Sequence, residues 1–138
     1  MNKFRYVVSL RISHPDMNPD DICHKLNMKA KIRWRAGAMR KTPKGASLPG
    51  VYDQSYCCFD LKQPENIELA DFLKQWNFKL LKYEEFLNHI YSSGGRIEYF
   101  IGWFSEGNSE EVFDVSLLSD LVKLKIDLSI DFYGGKDD

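Results

Sequence analysis

Cysteine is scarce in this chain, with three thiols, Cys23, Cys57 and Cys58, among 138 residues. An odd number without framework spacing argues against a secreted disulfide scaffold and fits a reducing compartment. Long apolar runs are missing too. No stretch approaches the roughly twenty residues that cross a bilayer, so no membrane is expected as a partner. Met1-Asn2-Lys3-Phe4-Arg5 leads straight into strand-like sequence with no charged leader and apolar run, from which a cytoplasmic location is expected. Acid is absent from one long segment, because Lys25 to Gly50 holds eight Lys or Arg and no Asp or Glu. No catalytic or cofactor motif stands out anywhere, so neither enzyme activity nor a cofactor is expected.

What is present is a charge-segregated chain with ample material for one core. The hydrophobic share is 43% and the aromatic share 14%, enough for a single domain over residues 1–138. The net charge of -1 hides +8 in the segment from Lys25 to Gly50, leaving -9 for the rest. Segregation of this kind steers an acidic partner or sets a basic strand beside acidic strands of the same sheet. Within the segment, Lys29-Ala30-Lys31-Ile32-Arg33-Trp34-Arg35-Ala36 alternates with period two. That period assigns Ala30, Ile32, Trp34 and Ala36 to a core and lines the other face with like charges.

Phe4 to Ile12 alternates as a half-buried first strand and stops at His14-Pro15. Asn18 then reads as a helix N-cap, with Pro19 at the first helical position, Asp20 and Asp21 in the first turn, and Met17 placed to staple onto Ile22. This helix presents Ile22, Cys23 and Leu26 on one face. Residues 37–50 hold three glycines and two prolines and read as an exposed, mobile basic loop. It joins the basic strand to a second strand over Val51 to Leu61, as a hairpin with an unusually long connection. From Glu65 to Tyr91 the period is helical, with a bend expected at Asn77-Phe78. Gly94-Gly95 ends that region, Arg96 to Phe104 is an aromatic strand, Ser116 to Leu124 a short helix, and Ile126 to Tyr133 the last strand. Residues 134–138 read as a flexible tail.

The unit strand, loop, short helix, strand occurs twice, at Tyr6 to Arg35 and at Ile97 to Phe132. Ile22, Leu26, Met28, Ala30 and Ile32 align with Leu118, Val122, Leu124, Ile126 and Leu128. A duplicated βαβ unit is the economical reading, and chance similarity of short amphipathic segments is its alternative. The fold expected is α+β, one mixed sheet of about five strands with helices mainly on one face and a ferredoxin-like flavour.

The motif order Val8-Ser9-Leu10-Arg11-Ile12-Ser13-His14-Pro15, Asn18-Pro19-Asp20-Asp21-Ile22, Arg33-Trp34-Arg35-Ala36-Gly37 and Leu128-Ser129-Ile130-Asp131-Phe132-Tyr133 resembles the bacterial family catalogued as domain of unknown function 4279. The resemblance spans nearly the whole chain. It departs at Tyr56-Cys57-Cys58-Phe59, where that family usually carries a tryptophan. It implies a small cytosolic α+β domain without an assigned activity, and by analogy suggests toxin neutralisation as an immunity protein.

Chemistry-bearing residues give little. His14, Cys23, His24, Cys57 and Cys58 match no zinc spacing, and adjacent strand residues such as Cys57 and Cys58 point to opposite faces. Asp127 and Asp131 lie four apart on a strand, about 13 Å, too far for a hydrolytic pair. The candidate site is therefore a binding surface: Lys31, Arg33, Arg35, Arg40, Lys41 and Lys44 facing an acidic protein. The alternatives are nucleic acid, with Trp34 or Tyr56 for stacking, and a small molecule in an aromatic pocket between sheet and helices. A strongly acidic remaining surface makes nucleic acid the weaker of the macromolecular readings. The bland alternative pairs Lys29 to Arg35 in-sheet with Asp60, Asp127 or Asp131, leaving only a solvated surface.

Overall fold

The central strand is β1 (Phe4–His14), and its alternation sets the two faces of the sheet. The computed structural model describes residues 3–134, so most of the expected tail lies outside the described residues. Seven strands and four α-helices follow in the order β1, α1 (Pro19–Leu26), β2 (Ile32–Trp34), β3 (Met39–Lys41), β4 (Ser47–Val51), β5 (Ser55–Leu61), α2 (Leu69–Leu80), α3 (Glu84–Ser92), β6 (Arg96–Ser105), α4 (Val115–Leu124) and β7 (Ile126–Tyr133). A single 3₁₀ turn, Leu81–Tyr83, joins α2 to α3.

Five strands form one mixed sheet in the order β2-β5-β1-β6-β7. β1 runs antiparallel to both β5 and β6, β2 is antiparallel to β5, and β7 is parallel to β6. The first four strands thus make the split βαβ arrangement of ferredoxin-like architectures, with α4 and β7 added at one edge. Register matches Leu10 with Phe59 and Tyr99, and Ile12 with Cys57 and Ile97, so these side chains share a face. That face is covered by the helices, whose Ile22, Leu26, Phe72, Leu73, Leu87 and Leu121 join it in one buried cluster.

Local sequence explains the helices. Asn18 Oδ1 accepts from Asp20 N at 3.0 Å, Pro19 opens α1, and Asn27 closes it in the left-handed region. α2 begins at Glu68 without a side-chain cap; instead Glu111, distant in sequence, accepts from Ala70 N at 2.7 Å. The break between α2 and α3 falls at Leu81–Tyr83, beyond the expected Asn77-Phe78, because Asn77 is buried within an unbroken α2. Gly94 takes φ +100°, and a Cβ at Gly95 would lie 2.8 Å from the carbonyl oxygens of Ser13 and Ile90, so the chain leaves α3 through a gap that fits glycine.

Two expectations need correction. The duplicated unit is not built alike: β6 and β7 are adjacent and parallel, whereas β5 separates β1 from β2. Its alignment also sets buried Ile22 and Leu26 against Leu118 and Val122, which are 43% and 70% exposed; α4 turns Leu117, Leu121 and Leu124 inward instead. Secondly, residues 37–50 are exposed but are not an unstructured loop. β3 and β4 pair as a two-stranded arm, with Met39 opposite Val51, and the strand expected over Val51 to Leu61 divides into β4 and β5 at Tyr52–Gln54.

Candidate functional site

The basic strand is shorter than its alternation suggests, since β2 covers Ile32–Trp34 only. Its facing is the reverse of the expected one. Arg33 sits opposite Cys57, which belongs to the helix-covered face, while Ile32 and Trp34 sit opposite Cys58 and Tyr56 on the uncovered face. Ala30 is buried, but Ile32 is 46% exposed. At a sheet edge the helix layer ends, and a long cation there reaches an acid on the flanking helix while its stem lies along apolar surface. Arg33 Nε lies 2.8 Å from Asp20 Oδ1 in the first turn of α1. Lys31 Nζ lies 3.4 Å from Asp60 Oδ2.

Asp127 and Asp131 do not pair with the basic strand. They occupy β7, at the opposite edge, where Arg96 Nη2 approaches Asp127 at 3.4 Å and Tyr133 OH donates to Asp131 at 2.6 Å. Of the six cations singled out, Lys31 and Arg33 are thus tied at the sheet edge. Arg35, Arg40, Lys41 and Lys44 make no ion pair among the described residues, and Arg40 Nη1 reaches only the Pro49 carbonyl at 3.5 Å. Arg40 and Lys41 lie on β3 and Lys44 in the turn that follows, so the arm gathers three of them, with Arg35 at its base.

An aromatic stack anchors the arm to the sheet. Trp34 stacks on Tyr52 at 4.4 Å and on Tyr56 at 4.6 Å. The Tyr52 hydroxyl accepts from Lys41 N at 3.2 Å, and its backbone pairs with Gly37 and Ala38. Burial, followed by the neighbouring Cys58, pushes the Tyr56 phenol up to about 12. Trp34 is therefore half-buried in a stack and not a core residue. The same face carries Arg11 over Phe100 at 3.7 Å and Arg5 over Phe104 at 4.4 Å, so these rings are already covered by the chain's own cations. On the arm itself, Met39 and Val51 are opposed across the strands and are 64% and 51% exposed.

Among the described residues no three His, Cys, Asp or Glu side chains are grouped to hold a metal. Cys57 is buried on the helix side, and burial, then nearby Cys23, raises its thiol to about 12, so it stays protonated at neutral pH. His14 is buried; its Nδ1 accepts from Asp16 N and Met17 N at 3.2 and 3.0 Å, leaving Nε2, 2.8 Å from the Ser93 hydroxyl, to carry the proton. It closes the strand-to-helix turn. A depression of about 550 Å³ beside α1 is lined by Asp20, Cys23, His24 and Arg33, and one of about 710 Å³ opens at the start of β1 among Glu65, Glu68, Glu110 and Glu111. Both linings mix polar and apolar side chains, with Phe4, Tyr6 and Ile67 in the second. A more apolar depression of about 590 Å³ lies among Leu26, Met28, Trp76, Phe78 and Tyr83, between helices and not between sheet and helices as considered from sequence.

The class this geometry defines is an α+β protein with a ferredoxin-like four-strand core, an added αβ unit and a projecting basic arm. No family model, no curated protein and no solved structure matches the chain.

Proposed function

We propose that this chain is a non-catalytic binding protein whose arm, with Arg35, Arg40, Lys41 and Lys44, docks on an acidic protein surface. The observation that carries this reading is the exposed apolar pair Met39 and Val51 on the same arm as cations that make no ion pair among the described residues. An apolar patch rimmed by Arg and Lys is the composition of a protein interface, where burial supplies affinity and charge supplies approach and register. A phosphate backbone would gain nothing from Met39 and Val51. Stacking of bases is disfavoured as well, since Trp34, Phe100 and Phe104 are engaged by neighbours of their own chain. Lys31 and Arg33 take a supporting part, tying the sheet edge to Asp60 of β5 and to Asp20 of α1 respectively. The reading extends the family resemblance to a cytoplasmic bacterial protein of the domain of unknown function 4279 type, with neutralisation of an acidic toxin as one concrete instance.

Capture from the native host separates these readings when wild type is run beside Arg40→Glu/Lys41→Glu and Met39→Asp. The expected result is a stoichiometric acidic protein held by wild type and lost by both variants, each still folded by circular dichroism. Retention of nuclease-sensitive material that Met39→Asp leaves unchanged would transfer the arm to nucleic acid. Identical capture by all three would leave the arm without a binding role.

A further inference from the structure

The edge of the sheet opposite the arm points to a second partner. β7 is the outermost strand, pairs with β6 alone, and runs in unbroken register from Ile126 to Tyr133. Its outer main-chain groups face no strand among the described residues. Open edges are normally blunted by shortness, by charged side chains and lysine above all, by proline, by a bulge or by a covering element. The other edge, β2, is three residues long, whereas β7 has eight and contains no lysine, proline or bulge. Beside it the helix-covered face leaves Ile130 and Phe132 at 45% and 56% exposure. Helix α4, which packs on β7, adds Val115, Leu118 and Val122 at helical spacing, 83%, 43% and 70% exposed. On the helical wheel this stripe is separated by the core residues from Lys123, which meets Glu84 of α3 at 3.7 Å. The stripe is thus turned away from the neighbouring helix.

We infer that β7 pairs antiparallel with β7 of a second copy of this chain across a two-fold axis at Ile130, extending the sheet and bringing the two α4 stripes together. The occupant is set by self-complementarity. A two-fold centred on Ser129 would place Asp127 opposite Asp131 twice, a like-charge pairing that destabilises a ladder. Centring on Ile130 instead sets Asp127 opposite Tyr133, Asp131 opposite Ser129, and Leu128 opposite Phe132. Asp127 is ion-paired with Arg96 of its own chain and Asp131 accepts a hydrogen bond from the Tyr133 hydroxyl, and in this register neither stands directly opposite a carboxylate of the copy. Paired strands lie about 4.8 Å apart and packed helices about 8–10 Å, which lets one symmetry axis serve strand and helix contacts together. An isologous arrangement of this kind closes on itself.

Light scattering on the full chain from micromolar to sub-millimolar concentration tests this, with Val122→Glu and Phe132→Glu as variants at exposed positions. The expected result is a dimer whose mass halves in each variant while circular dichroism is unchanged. Mild oxidation of Ile130→Cys is expected to give a reducible covalent dimer, and Phe132→Cys, displaced from its symmetry mate by four strand positions, is expected not to. A monomer at every concentration overturns the inference, and so does a dimer indifferent to both glutamates. Cross-linking through Ser129→Cys but not Ile130→Cys would overturn the register.

Discussion

Asn77 and Tyr99 show how much one buried polar pair constrains this core. The Tyr99 hydroxyl donates to Asn77 Oδ1 at 2.8 Å, and burial, aided by Asp120, holds that phenol far above its ordinary range. Asn77 Nδ2 finds no partner among the described residues, so the pair is only partly satisfied. Tyr99→Phe is expected to cost about 1–3 kcal/mol, because it strands Oδ1 without a donor. Adding Asn77→Leu should recover most of that loss by removing both polar groups together. Urea unfolding of the two singles and the double closes the cycle, and simple additivity would show that the two side chains act independently. The thiols offer a second check at this scale. With Cys57 buried and its pKa near 12, iodoacetamide at neutral pH is expected to leave it unmodified in the folded protein while reaching half-exposed Cys23, as read by peptide mass spectrometry.

Among the elements, α4 depends on a cap that is also an ion pair. Asp114 accepts from Leu117 N at 2.9 Å and from Lys74 Nζ at 2.7 Å, tying α4 to α2. The Lys74 hydrogen bond first, then the backbone bond to Leu117, lowers the Asp114 pKa from 3.8. A depressed carboxylate contributes stability that is present above 3.8 and is lost as pH falls through the lower folded value. Asp114→Asn keeps a competent N-cap while deleting the charge. The variant is therefore expected to melt lower than wild type at neutral pH and to converge with it in acid, a difference visible in thermal midpoints. Parallel melting curves across that range would dissociate the cap from the pH response. The helix start at Asn18 is legible in sequence because the cap and its donor Asp20 lie two residues apart, whereas the Asp114 cap of α4 came from the structure. The start of α2 is not legible, since its donor Ala70 is satisfied by Glu111 from the far side of strand β6.

Stability should be unevenly distributed across the whole molecule. β1 is paired on both sides and buried against the helices, whereas β3 and β4 pair with each other alone and expose most of their side chains. An isolated two-stranded ribbon is marginal in water, so the arm rests on the Trp34, Tyr52 and Tyr56 stack. Hydrogen exchange is expected to be fast for amides of Met39, Lys41 and Ser47 and to approach the global unfolding limit for Leu10 and Ile12. Trp34→Ala should accelerate the arm further with little effect on β1. Equal protection of arm and β1 would instead make the arm part of the cooperative core. Such an arrangement suits a docking element, which orders on its partner without disturbing the sheet.

Period-two and period-3.6 patterns determined the α+β class, the extents of β6, α4 and β7, and the cap of α1, because each depends on neighbours close in the chain. Charge counting likewise located the basic segment. Periodicity states that Ile32 and Trp34 share a face and that Arg33 lies on the other; it does not say which face a helix will cover. That choice came from β5, whose register with β1 fixes Cys57 inward and hence Arg33 beside Asp20. The same long-range pairing sent Asp127 and Asp131 to the far edge, away from the cations that one alternative reading paired with them, and left Asp60 to meet Lys31. It also left β7 without an outer partner strand among the described residues and turned residues 37–50 into a paired arm. Local sequence thus chose the elements, while tertiary pairing, by deciding what lies across each strand, chose which of their faces remain free.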